Sequence, residues 1–213
     1  AKACKKNKVR NFVHVSALNV DKVKDSKYAI TKVQGEMNVK DNFKNSLIIR
    51  PGVVFGKGDN FTNFFYKLSK FSPFLPIIGT PEVKRKKSLL PSINFNKRVK
   101  FQPVYVGDLV DFIISTIFVT SKTFEIAGPK ICSFNEIFDD ILQVKNKKRF
   151  YIPVPFFFAS ILALILENLP YSLLTRDQIK LMKVDNTSSK GLQTLKRFVK
   201  NPSSIKSIVG IYL

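Results

Sequence analysis

Tryptophan is absent from this 213-residue chain, histidine occurs once, cysteine and methionine twice each, and 15 acidic residues face 36 lysines and arginines. Each scarcity narrows the reading. Cys4 and Cys132 lie far apart with no CxxC spacing, and with His14 as the lone histidine they cannot supply a structural zinc set, so no metal is expected and both thiols are expected reduced. His14 sits inside VHV, where a packed strand histidine is the plain reading. No apolar run approaches the roughly 20 residues of a spanning helix. The longest, FFFASILALIL at 156 to 166, is bounded by Pro153, Pro155 and Glu167 and reads as a buried, interface or membrane-surface helix. The start, AKACKKNK, enters an apolar strand without initiator Met, signal region or cleavage site, as expected of a piece of a longer chain.

The formal net charge is +21. A nucleic-acid binder concentrates such charge on one face and interleaves it with aromatic residues. Here lysine is spread over the whole chain alongside Phe, Ile and Asn, a composition that A/T-rich codons explain, so no nucleic-acid partner is expected. The densest basic stretch, VKRKK at 83 to 87 followed by Lys97, Arg98 and Lys100, reads as a solvated loop able to face an anionic membrane or an acidic partner.

What is present is an alternation of strands and helices. RNFVHVSAL (10 to 18) and SLIIRPGVVFG (46 to 56) are short runs of β-branched and apolar residues, the second stopped by Pro51 and Gly52. Between them Asp25 or Ser26 caps a helix carrying Ile30, Val33, Met37 and Phe43 on one side, with Gly35 allowing close approach. Strand, helix, strand in about 45 residues is a βαβ crossover and implies a parallel sheet. Further on, FTNFFYKLSKF predicts an aromatic-faced helix, SPFLPIIG a proline-broken segment, and FQPVYV a strand followed by a helix capped by Asp108. TFEIAG returns as a strand, Ser133 and Glu136 have capping-box spacing, and Thr175 caps a helix in LTRDQIKLMKVDN. The tail IKSIVGIYL is expected to dock by its apolar residues. The class is α/β.

SKYAITKVQGE (26 to 36) places Tyr28 and Lys32 four apart in the first turns of the helix, one above the other on one face. A phenol titrates near ~10, and a neighbouring cation favours the phenolate, which brings it toward the range of a general acid or base. A lysine there can also bond ribose hydroxyls. The spacing alone is common in a lysine-rich chain. Its setting is not: the helix follows a strand ending in Ser16, the next strand ends in Pro51-Gly52, and the carboxyl edge of a parallel sheet is where such folds bind ligands.

With these motifs the chain resembles the extended or atypical short-chain dehydrogenase/reductase superfamily. FVHVSAL, KYAITKVQGE, RPGVVFGKGDNFTNFF, KFQPVYVGDLVD, TFEIAGP and LLTRDQIKLMKVDN, in this order, are similar to the branch containing the alpha-subcomplex subunit nine of respiratory complex I and its alphaproteobacterial relatives. The resemblance implies the C-terminal half of a Rossmann-type parallel sheet with a smaller, interleaved C-terminal lobe. Residues 1–56 and 101–128 would form the partial NAD(P)-binding domain, and 57–100 with 129–213 the lobe. It implies NADPH or NADH as cofactor, with Tyr28 and Lys32 at the nicotinamide ribose and Pro51, Gly52 and Val53 beside the nicotinamide. Tyr28, Lys32 and Ser16 are the candidate catalytic residues.

Three departures from the pattern shape the expectation, one being that the basic stretch from 82 to 100 is longer than the compact turn usual in this branch. The glycine-rich pyrophosphate loop is missing, so this chain alone should hold a dinucleotide poorly. The superfamily's catalytic serine aligns with Ala17, which leaves Ser16 one position early and on the opposite strand face. The expected role is therefore a nucleotide-holding accessory or assembly component of complex I with little or no turnover. Complex I subunits and a peripheral membrane contact would be its partners, at the inner face of a bacterial cytoplasmic membrane or the matrix side of the mitochondrial inner membrane. The alternative is an active NAD(P)-dependent reductase, epimerase or dehydratase with Tyr28 as proton donor.

Overall fold

The computed structural model describes residues 1–84, 92–144, 146–168 and 174–213. The basic run at 83 to 87 falls largely outside the described residues, as do the side chains of Lys97 and Arg98. The chain opens with α1 (Lys2–Lys6), β1 (Val13–Val15), a short 3-10 turn (Val20–Lys22), α2 (Lys27–Asn42), β2 (Leu47–Pro51) and β3 (Val54–Phe55). It continues through α3 (Thr62–Phe71), β4 (Phe74–Lys84), β5 (Ser92–Arg98), β6 (Lys100–Phe101), β7 (Val104–Tyr105), α4 (Val106–Thr116) and β8 (Lys122–Ile126). The remainder is β9 (Cys132–Ser133), α5 (Phe134–Gln143), β10 (Phe150–Pro155), α6 (Phe156–Leu166), α7 (Arg176–Leu181), α8 (Gly191–Lys196) and α9 (Ile205–Tyr212).

The βαβ crossover forms a parallel sheet in the order β1–β2–β8, with Val13 opposite Leu47 and Leu47 opposite Lys122. β2 is central, and its Leu47, Ile48 and Ile49 are all buried, as a strand covered on both faces requires. Phe112 of α4 and Leu195 of α8 pack against this sheet together with Ile126 of β8. Leu195 lies within the stretch assigned above to the lobe, so the C-terminal part of the chain returns to cover the sheet.

A second sheet, β10–β4–β5, belongs to the other core, where α3, α5 and α9 converge with Phe134, Ile137, Phe138, Ile141 and Val209 buried. Two expectations are corrected here. SPFLPIIG is not a break: it opens the eleven-residue strand β4. Pro76 is tolerated because β5 pairs with β4 only from Gly79 onward, so Pro76 faces a neighbour on the β10 side alone. Asp108 is not the cap of α4, which begins at Val106; its carboxylate instead accepts a hydrogen bond of 2.6 Å from the Ser203 amide.

The face of α2 that meets the sheet also differs from the expected one. Ile30 and Met37 are each 52% exposed, while Ala29, Glu36 and Val39 are buried. The helix is turned inward by an ion pair at Glu36 rather than by its largest apolar residues. The close approach expected at Gly35 does not require a glycine: a Cβ there would stand 3.5 Å from His14 Nε2, an ordinary van der Waals contact.

Candidate functional site

The strand ends of the parallel sheet come together through their own backbone. The Leu18 amide donates to Pro51 O at 2.9 Å and the Gly52 amide to Ile126 O at 2.9 Å, so the segments leaving β1, β2 and β8 form one rim. α2 rises beside that rim. Ser26 is its N-cap, with Oγ accepting from the Ala29 amide at 3.2 Å.

One turn in, Tyr28 and Lys32 lie together: the Lys32 ammonium is 5.7 Å from the Tyr28 ring centroid and donates to Val15 O, the last residue of β1, at 3.3 Å. The pair is thus at the carboxyl edge of the sheet, with Tyr28 43% exposed. The expected effect of the cation on the phenol is not what this geometry gives. Partial burial pushes the Tyr28 hydroxyl above its ordinary value, and the ammonium lies over the ring face rather than at the oxygen.

Ser16 is placed elsewhere. It is 3% exposed, with its hydroxyl beside the Glu36 carboxyl but without a well-formed hydrogen bond. Glu36 receives Arg50 Nε and Nη2, each at 2.8 Å, and Arg50 Nη1 reaches Asp21 at 2.9 Å. Burial opposes charge on Glu36, but the Arg50 fork and the Ser16 hydroxyl outweigh it and hold the carboxyl below the usual carboxylate range. Ser16 therefore shares a buried polar cluster with the ion pair under α2, and Ala17 follows it at the rim.

Pro51, Gly52 and Val53 form the loop leaving β2. Gly52 is required there, since a Cβ would come within 2.5 Å of Gln102 O. The Val53 amide donates to Asn186 Oδ1 at 2.9 Å. Sequence reasoning missed Asn186, Asn19 and Asp177. Asn19, at φ 59°, sends its amide to the carbonyls of Asp185 and Thr187, and the Asp177 carboxylate takes the amides of Lys27 and Tyr28. All these contacts bridge more than 130 residues of chain, a separation at which no periodicity signals a partner.

A nicotinamide dinucleotide can be tested against these groups. An exposed phenol, an ammonium at a strand end and a glycine-opened loop fit its ribose and nicotinamide end. Its pyrophosphate needs backbone amides at a helix N-terminus. The glycine-bearing turn that leads into α3, Gly56 to Gly58, already directs the amides of Gly56, Phe61 and Thr62 to the Asp59 carboxylate. The described residues thus fit one end of such a molecule.

The tyrosine–lysine pair thus stands on a helix at the carboxyl edge of a parallel sheet, and the architecture is that of a Rossmann-like α/β fold. No family model matches the chain. Its homologues are subunits of complex I. It is 29% identical over 215 residues to NADH dehydrogenase [ubiquinone] 1 alpha subcomplex subunit 9 of Mus musculus, covering 98% of this chain and 52% of that protein. The corresponding subunit of Dictyostelium discoideum is 27% identical over 194 residues, 88% of this chain and 50% of that protein. The chain spans about half the length of the curated relatives it matches. Its fold matches an NADPH-dependent quinone oxidoreductase from Escherichia coli, solved in complex with NADPH, with a TM-score of 0.68 at 17% identity over 98% of this chain and 68% of that one.

Proposed function

We propose that this chain holds a nicotinamide dinucleotide, NADPH or NADH, as an accessory or assembly component of respiratory complex I, with little or no turnover. The observation that carries the reading is the Tyr28–Lys32 pair anchored on Val15 O at the strand ends, in a chain whose homologues are complex I subunits. Lys32 would bond the ribose hydroxyls, Tyr28 would lie against the nicotinamide ribose, and the Pro51–Val53 loop would border the ring. The bound group supplies hydride chemistry in proteins of this fold.

Turnover needs more than these residues offer. The Ser16 hydroxyl is buried beside Glu36, which leaves the candidate catalytic set without an exposed serine to orient a substrate carbonyl. The dinucleotide would then act by mass action, stabilising the folded state that binds it. The curated relatives are mitochondrial proteins, which supports placement at the matrix side of the inner membrane or its bacterial equivalent. No described helix is long and apolar enough to cross a membrane. The exposed side of α6, with Phe157, Phe158 and Ile165, supports a partner-facing or membrane-facing role for the lobe.

The test is to isolate the tagged chain under native conditions from cells that express it. Complex I subunits are then identified in the eluate, and nucleotide is released by denaturation and assayed. Copurifying complex I subunits are the expected result, with NADPH or NADH near one per chain in that assembly, where neighbouring subunits would supply the pyrophosphate contacts that the chain alone lacks. Complex I subunits without any dinucleotide would overturn the cofactor reading, and dinucleotide without complex I subunits would overturn the assembly role.

A further inference from the structure

The N-terminus of α2 is not closed by its own neighbours alone. Asp177, 149 residues further along the chain, places Oδ2 at 2.9 Å from the Tyr28 amide and 3.0 Å from Ser26 Oγ, and Oδ1 at 2.8 Å from the Lys27 amide. The first amides of a helix have no partner inside it. Here those of Lys27 and Tyr28 are taken by Asp177 and that of Ala29 by Ser26. Lys180, on the same short helix, donates to Asp25 O at 2.7 Å, so α7 grips the entry to α2 from both sides. Behind the polar contacts, Leu181 and Val184 pack against Val20, Val23 and Ala29. α7 is itself held, by the Thr175–Gln178 capping box at its start and by Glu167 on Arg176 at 2.7 Å.

We infer that Asp177 is a positioning residue for the dinucleotide site, fixing the first turn of α2 so that the Tyr28 phenol and the Lys32 ammonium stand at the strand ends. The inference rests on the proposed role of those two groups as dinucleotide contacts. A carboxylate suits the task because it accepts several hydrogen bonds at once and its charge is favourable at the positive end of the helix. It also excludes a phosphate from that helix end, since the space before the Lys27 and Tyr28 amides is already filled by an anion.

The inference is tested without nucleotide, by amide hydrogen exchange on the intact chain. The Lys27 and Tyr28 amides should exchange at least about tenfold more slowly than in an unstructured peptide, and Asp177→Asn should remove about that factor while Val39, deep in the same helix, stays protected. A second signature is the titration of the Tyr28 phenol, followed by carbon NMR with Lys32 unchanged. Loosening the first turn exposes the ring, so the midpoint in Asp177→Asn should fall back toward about 10.

Exchange of both amides at unstructured rates in the unmodified chain would overturn the inference. So would an Asp177→Asn chain whose exchange and phenol titration match the unmodified one. Should that variant fail to fold, the measurement on the unmodified chain decides. A later failure to bind NADPH would strike the proposed function and leave this result standing.

Discussion

Arg50 and Glu36 meet through two hydrogen bonds of 2.8 Å, one from Nε and one from Nη2, across the junction of β2 with α2. Only 3% of the Glu36 side chain and 15% of that of Arg50 are exposed. Breaking a buried pair by removing one partner leaves the other charge without compensation, which costs more than the pair contributes over an apolar substitute. Asp21 keeps one bond to Arg50 and reduces the loss. Glu36→Ala should lower stability by about 2–4 kcal/mol, read from the urea midpoint.

The same pair sets a pH dependence. The folded Glu36 carboxyl is held below its unfolded value, so its contribution is complete above the unfolded range near ~4.3 and is lost as pH falls through the folded value. The urea midpoint of the unmodified chain should therefore decline below about pH 4, and the decline should be shallower in Glu36→Gln.

Val53 and Gly52 depend on residues from distant parts of the chain. Asn186→Ala removes the acceptor of the Val53 amide and should cost about 1–2 kcal/mol in thermal or urea unfolding. Gly128→Ala should be worse than Gly52→Ala. The added Cβ would meet Pro103 O at 1.7 Å in the first case and Gln102 O at 2.5 Å in the second, and both obstacles are backbone.

The exposed side of α6 is separable from the fold. Phe157 and Phe158 are exposed, whereas Ala159 and Ala163 form the seam that packs into the core around Phe134, Ile137 and Phe138. Replacing both phenylalanines by Ser should leave the melting temperature within a few degrees, about 0.5 kcal/mol per site, while abolishing copurification with complex I subunits. Ala163→Leu should do the reverse, overpacking the seam at a cost of about 1–3 kcal/mol.

The sequence was most legible where local chemistry decides. The βαβ order, the Ser26 cap, the Ser133–Glu136 capping box and the Thr175 cap are written in short stretches, and the fold contains them. It was least legible where tertiary contacts override local preference. Ile30 and Met37 read as the buried side of α2, but the Arg50 fork draws Glu36 inward and leaves them outside. Pro76 read as a break because its one-sided pairing depends on where β5 joins. At the strand ends, the proximity of Tyr28 and Lys32 follows from their four-residue spacing, while Asp177 and Asn186 arrive there only through the folded chain.

Recognition of a nicotinamide dinucleotide at the strand ends is tested most directly by titrating the isotope-labelled chain with NADPH while following its amide and tyrosine signals. With only the ribose and nicotinamide end supported, binding to the isolated chain should be weak, about 1 mM, and the shifts should gather at Tyr28, Lys32, Gly52 and Val53. They should diminish several-fold in Lys32→Ala, which removes a charged hydrogen-bond donor. Shifts spread evenly over the lysines of the surface, unchanged in Lys32→Ala and reproduced by inorganic phosphate, would contradict it.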